Sequence, residues 1–401
     1  MWEFVLALLL GIVVGTFTGL FPGIHVNLIS VFILSLSPTL LNYFSPISLA
    51  IFIVSLTITH SFLDFIPSIF LGAPDDESFL SVLPGHELLK QGKGYEAVVL
   101  TLYGSLVGLL IILVFTPLFI FLLPSIQNII SSYIPYLLIF LSLYLIFQED
   151  NLLLSLIIFS LAGVLGLVTF NLPIKEPLLP LLTGLFGTSS IILSLRSSSS
   201  VIQKQETPKL KDIKLEKKEF LKSTLAASIS APLCSFLPGI GSGHAATLGS
   251  EIFKQDKRQF LFLIGAINTI VISLSFVAAY SINKTRSGAA VAVKSLLKTI
   301  SFTDLVYIIA TIIITGVISF FIALKISKLI AKNINKVNYK ILSIFTLSLL
   351  FLITIIFSNF LGFLVLITST SLGIFAVLSN SKRINLMASL ILPSIIFYLT
   401  N

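Results

Sequence analysis

The chain is a succession of apolar runs of about 20 residues, divided by short polar punctuation. Such runs occupy 98–123, 132–147, 152–170, 177–195, 301–324, 341–357 and 359–379. Each is continuous, so the alternating signature of a membrane β-barrel is missing. The length rule predicts roughly ten to twelve membrane-embedded helical segments, some of them half-length or re-entrant. The expected fold class is therefore an all-α polytopic membrane protein.

Two runs are interrupted in the same manner. Gly19-Leu-Phe-Pro-Gly-Ile-His-Val-Asn27 is answered by Phe236-Leu-Pro-Gly-Ile-Gly-Ser-Gly-His244. Proline removes a backbone donor and clashes with the preceding turn, so each break frees polar groups that lipid cannot satisfy. Sliding the chain by 216 residues places Pro22-Gly23-Ile24 on Pro238-Gly239-Ile240, Gly72-Ala73 on Gly288-Ala289 and Pro177 on Pro393. Several helix-breaking positions in one register predict an internal duplication. The long polar stretch near the middle then divides the chain into a first transmembrane repeat (1–195), a basic linker (196–220) and a second transmembrane repeat (221–401). Analogy with other repeat transporters favours an inverted pair, with a parallel repeat as the alternative.

Composition agrees with a bilayer environment. With 56% hydrophobic and 10% charged residues and a mean hydropathy of +1.07, the chain is too apolar for a soluble domain. Met1–Leu20 carries Glu3, no Lys or Arg ahead of its apolar stretch and no small-residue cleavage site, so it reads as a first span and not as a signal peptide. The lone cysteine, Cys234, excludes an internal disulfide and a cysteine metal cluster. The net charge of +8 is carried largely by loops: 196–222 holds eight Lys/Arg against four Asp/Glu, and 325–340 holds five Lys and no acid. Both read as cytoplasmic by the positive-inside rule, which accounts for the charge without nucleic acid.

Ionisable and polar residues inside apolar runs are expensive, so they are the site candidates. His60 and Asp64 lie four apart, on one helix face, and suit proton or cation coupling because a carboxylate beside an imidazole titrates near neutrality. The alternative is an interhelical hydrogen-bond pair that holds the bundle together. Asn268 and Thr269 interrupt a second long apolar run and join them as ion-coupling candidates. Pro74-Asp-Asp-Glu-Ser78 resembles a helix start, where acids cap free amides, and Ser78 with those amides can also meet a substrate. His86, Glu87, Lys90 and Lys93 read as a solvated loop.

In the second half Gly239, Gly241 and Gly243 permit close backbone approach, and the helix start at Ser242 presents amides that favour anions. Small residues also permit tight helix packing, which is the competing explanation. Lys284 and Arg286 are candidate cationic partners of an anion, or interfacial cations that snorkel. No His-Glu-x-x-His motif, Walker loop, Gly-x-Ser-x-Gly elbow or cysteine pair supports an enzyme. No repeated filter or ring of charge supports a channel.

The break at 19–27, the Gly72-Ala-Pro block running through Leu83-Pro-Gly-His-Glu-Leu-Leu-Lys-Gln-Gly-Lys-Gly-Tyr-Glu-Ala97, Pro180-Leu-Leu-Thr-Gly-Leu-Phe-Gly187 and Leu237-Pro-Gly-Ile-Gly241 together resemble the TctA family. This is the large permease subunit of tripartite tricarboxylate transporters, and the likeness is greatest to its archaeal branch. The resemblance spans nearly the whole chain. It implies uptake of a di- or tricarboxylate driven by a cation gradient, Na+ or H+, across the cell membrane, with no other cofactor. A small membrane subunit and an extracytoplasmic binding protein are the implied partners. It further implies that Pro22, Gly23, His25 and Asn27, with Pro238, Gly239, Gly241, Ser242, Gly243 and His244, line the substrate cavity, with 74–78 beside them. The residues also fit a translocase of a polyprenyl-phosphate or similar carrier lipid, since an amide-lined, cation-flanked cavity suits a phosphate head group. An intramembrane enzyme is a weaker alternative.

Overall fold

The computed structural model describes residues 2–21, 26–73, 78–131, 133–147, 149, 151–196, 203–236, 242–285, 287–334, 339–381 and 383–400. Among the described residues the structure is helical with no strand. The first half contains α1 (Trp2–Leu20), α2 (Val26–Leu40), α3 (Pro46–Leu63), α4 (Phe65–Leu71), α5 (Val82–Lys90), α6 (Gly94–Ser131), α7 (Ile134–Phe147), α8 (Leu152–Asn171), α9 (Leu178–Leu182) and α10 (Ser189–Arg196). The second contains α11 (Lys217–Phe236), α12 (Ser242–Ile252), α13 (Lys257–Ser281), α14 (Gly288–Leu297), α15 (Phe302–Ile334), α16 (Tyr339–Leu378) and α17 (Ala388–Thr400).

Seven helices are long and apolar enough to cross a membrane among the described residues. They divide by surroundings. In α3–α4 (Pro46–Leu71) and in α13, 94% of the apolar stretch is enclosed by protein, against 28–44% in α1, α6, α8, α15 and α16. In the enclosed helices nearly every position of the apolar stretch is covered by protein. The others turn side chains such as Val114, Phe121, Leu153 and Phe360 outward, where a soluble protein would place polar groups.

Glycine sets how closely the central pair is wrapped. Gly11, Gly15 and Gly19 of α1 recur every fourth residue against α3, and a Cβ on Gly15 would sit 2.6 Å from the Leu56 carbonyl oxygen. Helix α13 packs in the same way on α6, where Gly104 and Gly265 bring each backbone onto the other. Small residues do this work in membranes because lipid supplies no hydrophobic drive for helices to associate.

Packing crosses between the halves. Helix α6 lies on α13 and α15 on α3, while α8 packs on α17 and α16 on the α9–α10 segment. Around the two Pro-Gly motifs, α1 runs to Leu20 and α2 from Val26, and α11 runs to Phe236 and α12 from Ser242, with 22–25 and 237–241 outside the described residues. The apolar runs at 341–357 and 359–379 form two helical pieces, labelled together as α16, that meet at a kink at Asn359 (φ 60°).

The basic linker does more than orient the chain. Gln205 is buried and clasps the α5–α6 junction, donating through Nε2 to the Leu89 carbonyl (2.7 Å) and accepting from the Gly94 amide (2.8 Å). Glu206 N–H donates to the Gly92 carbonyl (2.8 Å), and Arg258 Nη2 donates to the Lys214 carbonyl (3.2 Å). The linker thus ties the end of the first-half hairpin to the start of α13.

Replacing Gly265 by leucine will force α13 off α6. Overpacking of this kind costs about 1–3 kcal/mol, so the detergent-solubilised variant should melt earlier or lose its monodisperse peak, whereas the lipid-facing change Val114→Leu should stay within about 0.5 kcal/mol of wild type.

Candidate functional site

The sequence candidates fall into three groups. Pro22, Gly23, His25, Pro238, Gly239, Gly241 and Arg286, together with the acids at 75–77, lie outside the described residues. Asn27 and His244 belong to the first turns of α2 and α12. Ser78, Ser242, Gly243, His60, Asp64, Asn268 and Thr269 have described surroundings, and all of them are buried.

The structure brings the Ser78 turn to the start of α12. Its hydroxyl bonds Ser68 Oγ on α4 at 2.6 Å, and its carbonyl accepts from Ser81 Oγ at 2.6 Å, which fixes the short 3-10 turn Phe79–Ser81. That turn projects Phe79 over Gly243, where a Cβ would stand 2.5 Å from Phe79 Cζ. Only glycine admits the ring there. In the second half a comparable clasp joins Ser275 of α13 to Ser287 (3.2 Å), the N-cap of α14, and α14 in turn packs on α2 and α3. The segment after α4 thus meets α12 of the second half, and α14, after α13, meets α2 of the first.

His60 lies one turn from the first break. Its Nδ1 meets Thr18 Oγ1 of α1 at 3.0 Å, and Gly19 passes over its backbone. Asp64 stands at the α3–α4 junction, and its carbonyl accepts from Ser68 Oγ at 2.9 Å. A polar seam thus runs from Thr18 through His60 and the Asp64 turn to Ser68 and Ser78, from one break toward the other. Next to it on α3, Ser55 and Thr59, which also lie against α1, meet Thr315 and Ser319 of α15.

Asn268 and Thr269 sit apart from that seam, on α13. Both amide atoms of Asn268, Thr269 Oγ1 and Ser273 Oγ are buried without a hydrogen-bond partner among the described residues. An unsatisfied buried group costs about 1–3 kcal/mol, and four within six residues of an enclosed helix demand an explanation.

His86 corrects an expectation. It is not in a solvated loop but on α5, buried, with Nδ1 held by the Ile69 carbonyl at 3.0 Å and Gly72 (φ 69°) leaving just enough room for its ring. Burial pushes its imidazole down to about 4; the Ile69 bond opposes this and the Lys90 charge adds to it. Glu87, next along, pairs with Lys257 at the start of α13.

A cavity of about 720 Å³ opens between the first-half segment Phe79–Glu87 and the second-half segment Ser250–Phe260. Phe79 and Phe186, with ring centroids 4.6 Å apart, form part of its apolar wall. Phe186 belongs to Thr183–Thr188, a π-helical turn between α9 and α10, and Arg383 approaches from the 3-10 turn before α17. Sequence reasoning missed Thr18, Ser68, Ser273 and Arg383: the first three look like ordinary small polar residues within helices, and Arg383 looks like a loop cation between two apolar runs. Pro180–Gly187 was marked only by family resemblance.

A family model described as the tripartite tricarboxylate transporter TctA family matches residues 5–388. An uncharacterized protein of Methanocaldococcus jannaschii is 36% identical over 413 residues, covering 98% of each chain. No solved structure matches the chain.

The depressed His86 pKa makes a signed prediction. Below 6.5 the unfolded chain takes up a proton that the folded site refuses, so His86 supports folding fully above pH 6.5 and loses that support as pH falls toward about 4. Melting of wild type and His86→Gln in detergent should differ in slope across that window and run parallel above it; parallel curves throughout would contradict the buried neutral imidazole.

Proposed function

The chain belongs to the TctA family of tripartite tricarboxylate transporters, and on that premise we propose that it is an ion-coupled secondary permease of a di- or tricarboxylate. The observation that carries the coupling is the cluster of unpartnered polar atoms on α13, Asn268, Thr269 and Ser273, inside a helix that protein encloses on every side. Polar groups at that depth favour a cation or its water, which supplies the missing partners. In this reading Asn268 and Thr269 hold the ion, His60 and Asp64 link ion occupancy to the first break, and the helix starts at 22–27 and 238–244 receive the anion together with Ser78 and Arg286.

Two finer readings follow. The 216-residue offset of the Pro-Gly motifs supports a duplication, and the crossed packing of the halves supports an inverted arrangement, whose rocking would expose the site to either side in turn. The family supports a tripartite mode in the cell membrane, with a small membrane subunit and an extracytoplasmic binding protein.

Uptake of labelled citrate by proteoliposomes, with Na+ or H+ gradients imposed separately, tests the function. Accumulation should require one of the gradients. Asn268→Leu should fold as well as wild type, because it removes an unsatisfied amide, and yet lose the gradient dependence. Absence of gradient-dependent flux for any carboxylate, alongside translocation of a polyprenyl phosphate, would replace the permease with a lipid carrier.

A further inference from the structure

Arg383 faces a cavity with half of its guanidinium already committed. Its Nη1 donates to the Phe186 carbonyl (3.2 Å) and to Ser190 Oγ (2.5 Å), and Ser190 Oγ in turn donates to that carbonyl (2.5 Å). These bonds anchor the arginine to the π-helical turn, whose widened spacing leaves carbonyls in need of donors. The other edge is unused. Nε is buried with no hydrogen-bond partner, and no bond engages Nη2. Among the described residues no carboxylate pairs with Arg383.

Gln255 lines the same cavity, on the connection between α12 and α13. Its Oε1 accepts from Ser223 Oγ (2.7 Å), which fixes the amide, and its Nε2 is buried without a partner. Two residues that line the cavity, from separate segments, thus each carry a buried donor without a partner among the described residues, with Phe79, Phe186 and Phe260 as apolar wall. Of the other charges there, Lys257 is paired with Glu87, and Asp256 caps α13 by accepting from the Gln259 amide (2.7 Å). Glu251 also lines the cavity and Lys254 is exposed.

We propose that the Nε–Nη2 edge of Arg383, with the Gln255 amide, forms a carboxylate-binding station in this cavity. A guanidinium edge offers two parallel N–H donors at the spacing of carboxylate oxygens, which lysine cannot reproduce. The cavity volume, about 720 Å³, lies within the range for small organic ligands. Burial lowers the Arg383 pKa only to about 10, so the cation persists at neutral pH. The lining includes Lys254, whose carbonyl accepts from Lys222, so the station stands on the linker side of the protein. It rests on the permease reading and deepens it: this is the last or first stop of the anion on the side that the positive-inside rule makes cytoplasmic.

Calorimetric titration of citrate into the purified protein tests the station, with inorganic phosphate as a second probe and ligand-free melting as a check on folding. Wild type should bind citrate. Arg383→Lys should weaken it about 10-fold or more and Arg383→Gln further, since a hydrogen bond to a charged group carries that much affinity, while Gln255→Ala should weaken it less. Citrate bound equally by wild type and Arg383→Gln, no citrate binding by wild type, or Arg383-dependent binding of phosphate in its place would each overturn the proposal. Proteoliposome uptake separates the two claims: gradient-driven flux unchanged in Arg383→Gln removes the station and leaves the permease, whereas Arg383-dependent citrate binding in a protein without flux keeps the station and removes the permease.

Discussion

A backbone carbonyl or amide in hydrocarbon has no water to bond, and this constraint organises the molecule. A helix satisfies the requirement by itself until it is interrupted, and the sequence places helix-breaking Pro-Gly pairs at 22–23 and 238–239. The freed groups must then be enclosed by protein. Helices α3–α4 and α13 form the enclosed centre, α1, α6, α11 and α15 wrap it, and glycines at 11, 15, 19, 104 and 265 bring the wrapping close. The bilayer-facing surface is left to aliphatic and aromatic side chains.

Enclosure creates a polar interior that stability alone does not require. The seam from Thr18 and His60 to Ser68 and Ser78 is hydrogen-bonded. On α13 the opposite holds: Asn268, Thr269 and Ser273 keep polar atoms unsatisfied where leucine would pack. Arg383 and Gln255 repeat the pattern at the cavity between the halves. Buried groups that weaken a fold and persist are where function is expected, because only a ligand completes them.

Much of this architecture was legible in the sequence. The span edges at 152–170 and 301–324 fall within a residue of where α8 and α15 begin, because lipid-facing helices advertise themselves by hydropathy alone. The matched Pro-Gly breaks were equally visible, since proline acts locally. The division at 358 marks a real boundary: Asn359 leaves helical geometry, and its side chain accepts from the Leu361 amide (2.9 Å) at the start of the second helical piece. What stayed hidden depends on contacts between distant segments. His86 lies in a polar stretch and is buried only because α5 folds back on α4. The linker looked like an orientation signal, while Gln205 is a structural staple across more than a hundred residues of sequence. Arg383 gained its meaning from a π-helical turn two hundred residues earlier, which no periodicity discloses.

The central claim is that the space where the first-half turn meets the second-half broken helix is a water-filled route for a carboxylate and not a packing seam. Leu80 lines that space and touches Gly243. The direct measurement is the rate at which a membrane-impermeant thiol reagent modifies Leu80→Cys, in a Cys234→Ser background, in sealed proteoliposomes. A carboxylate route predicts modification that citrate slows and that an imposed cation gradient changes. A cysteine that is inert like one facing lipid, or that reacts at a rate indifferent to both citrate and the gradient, would contradict it.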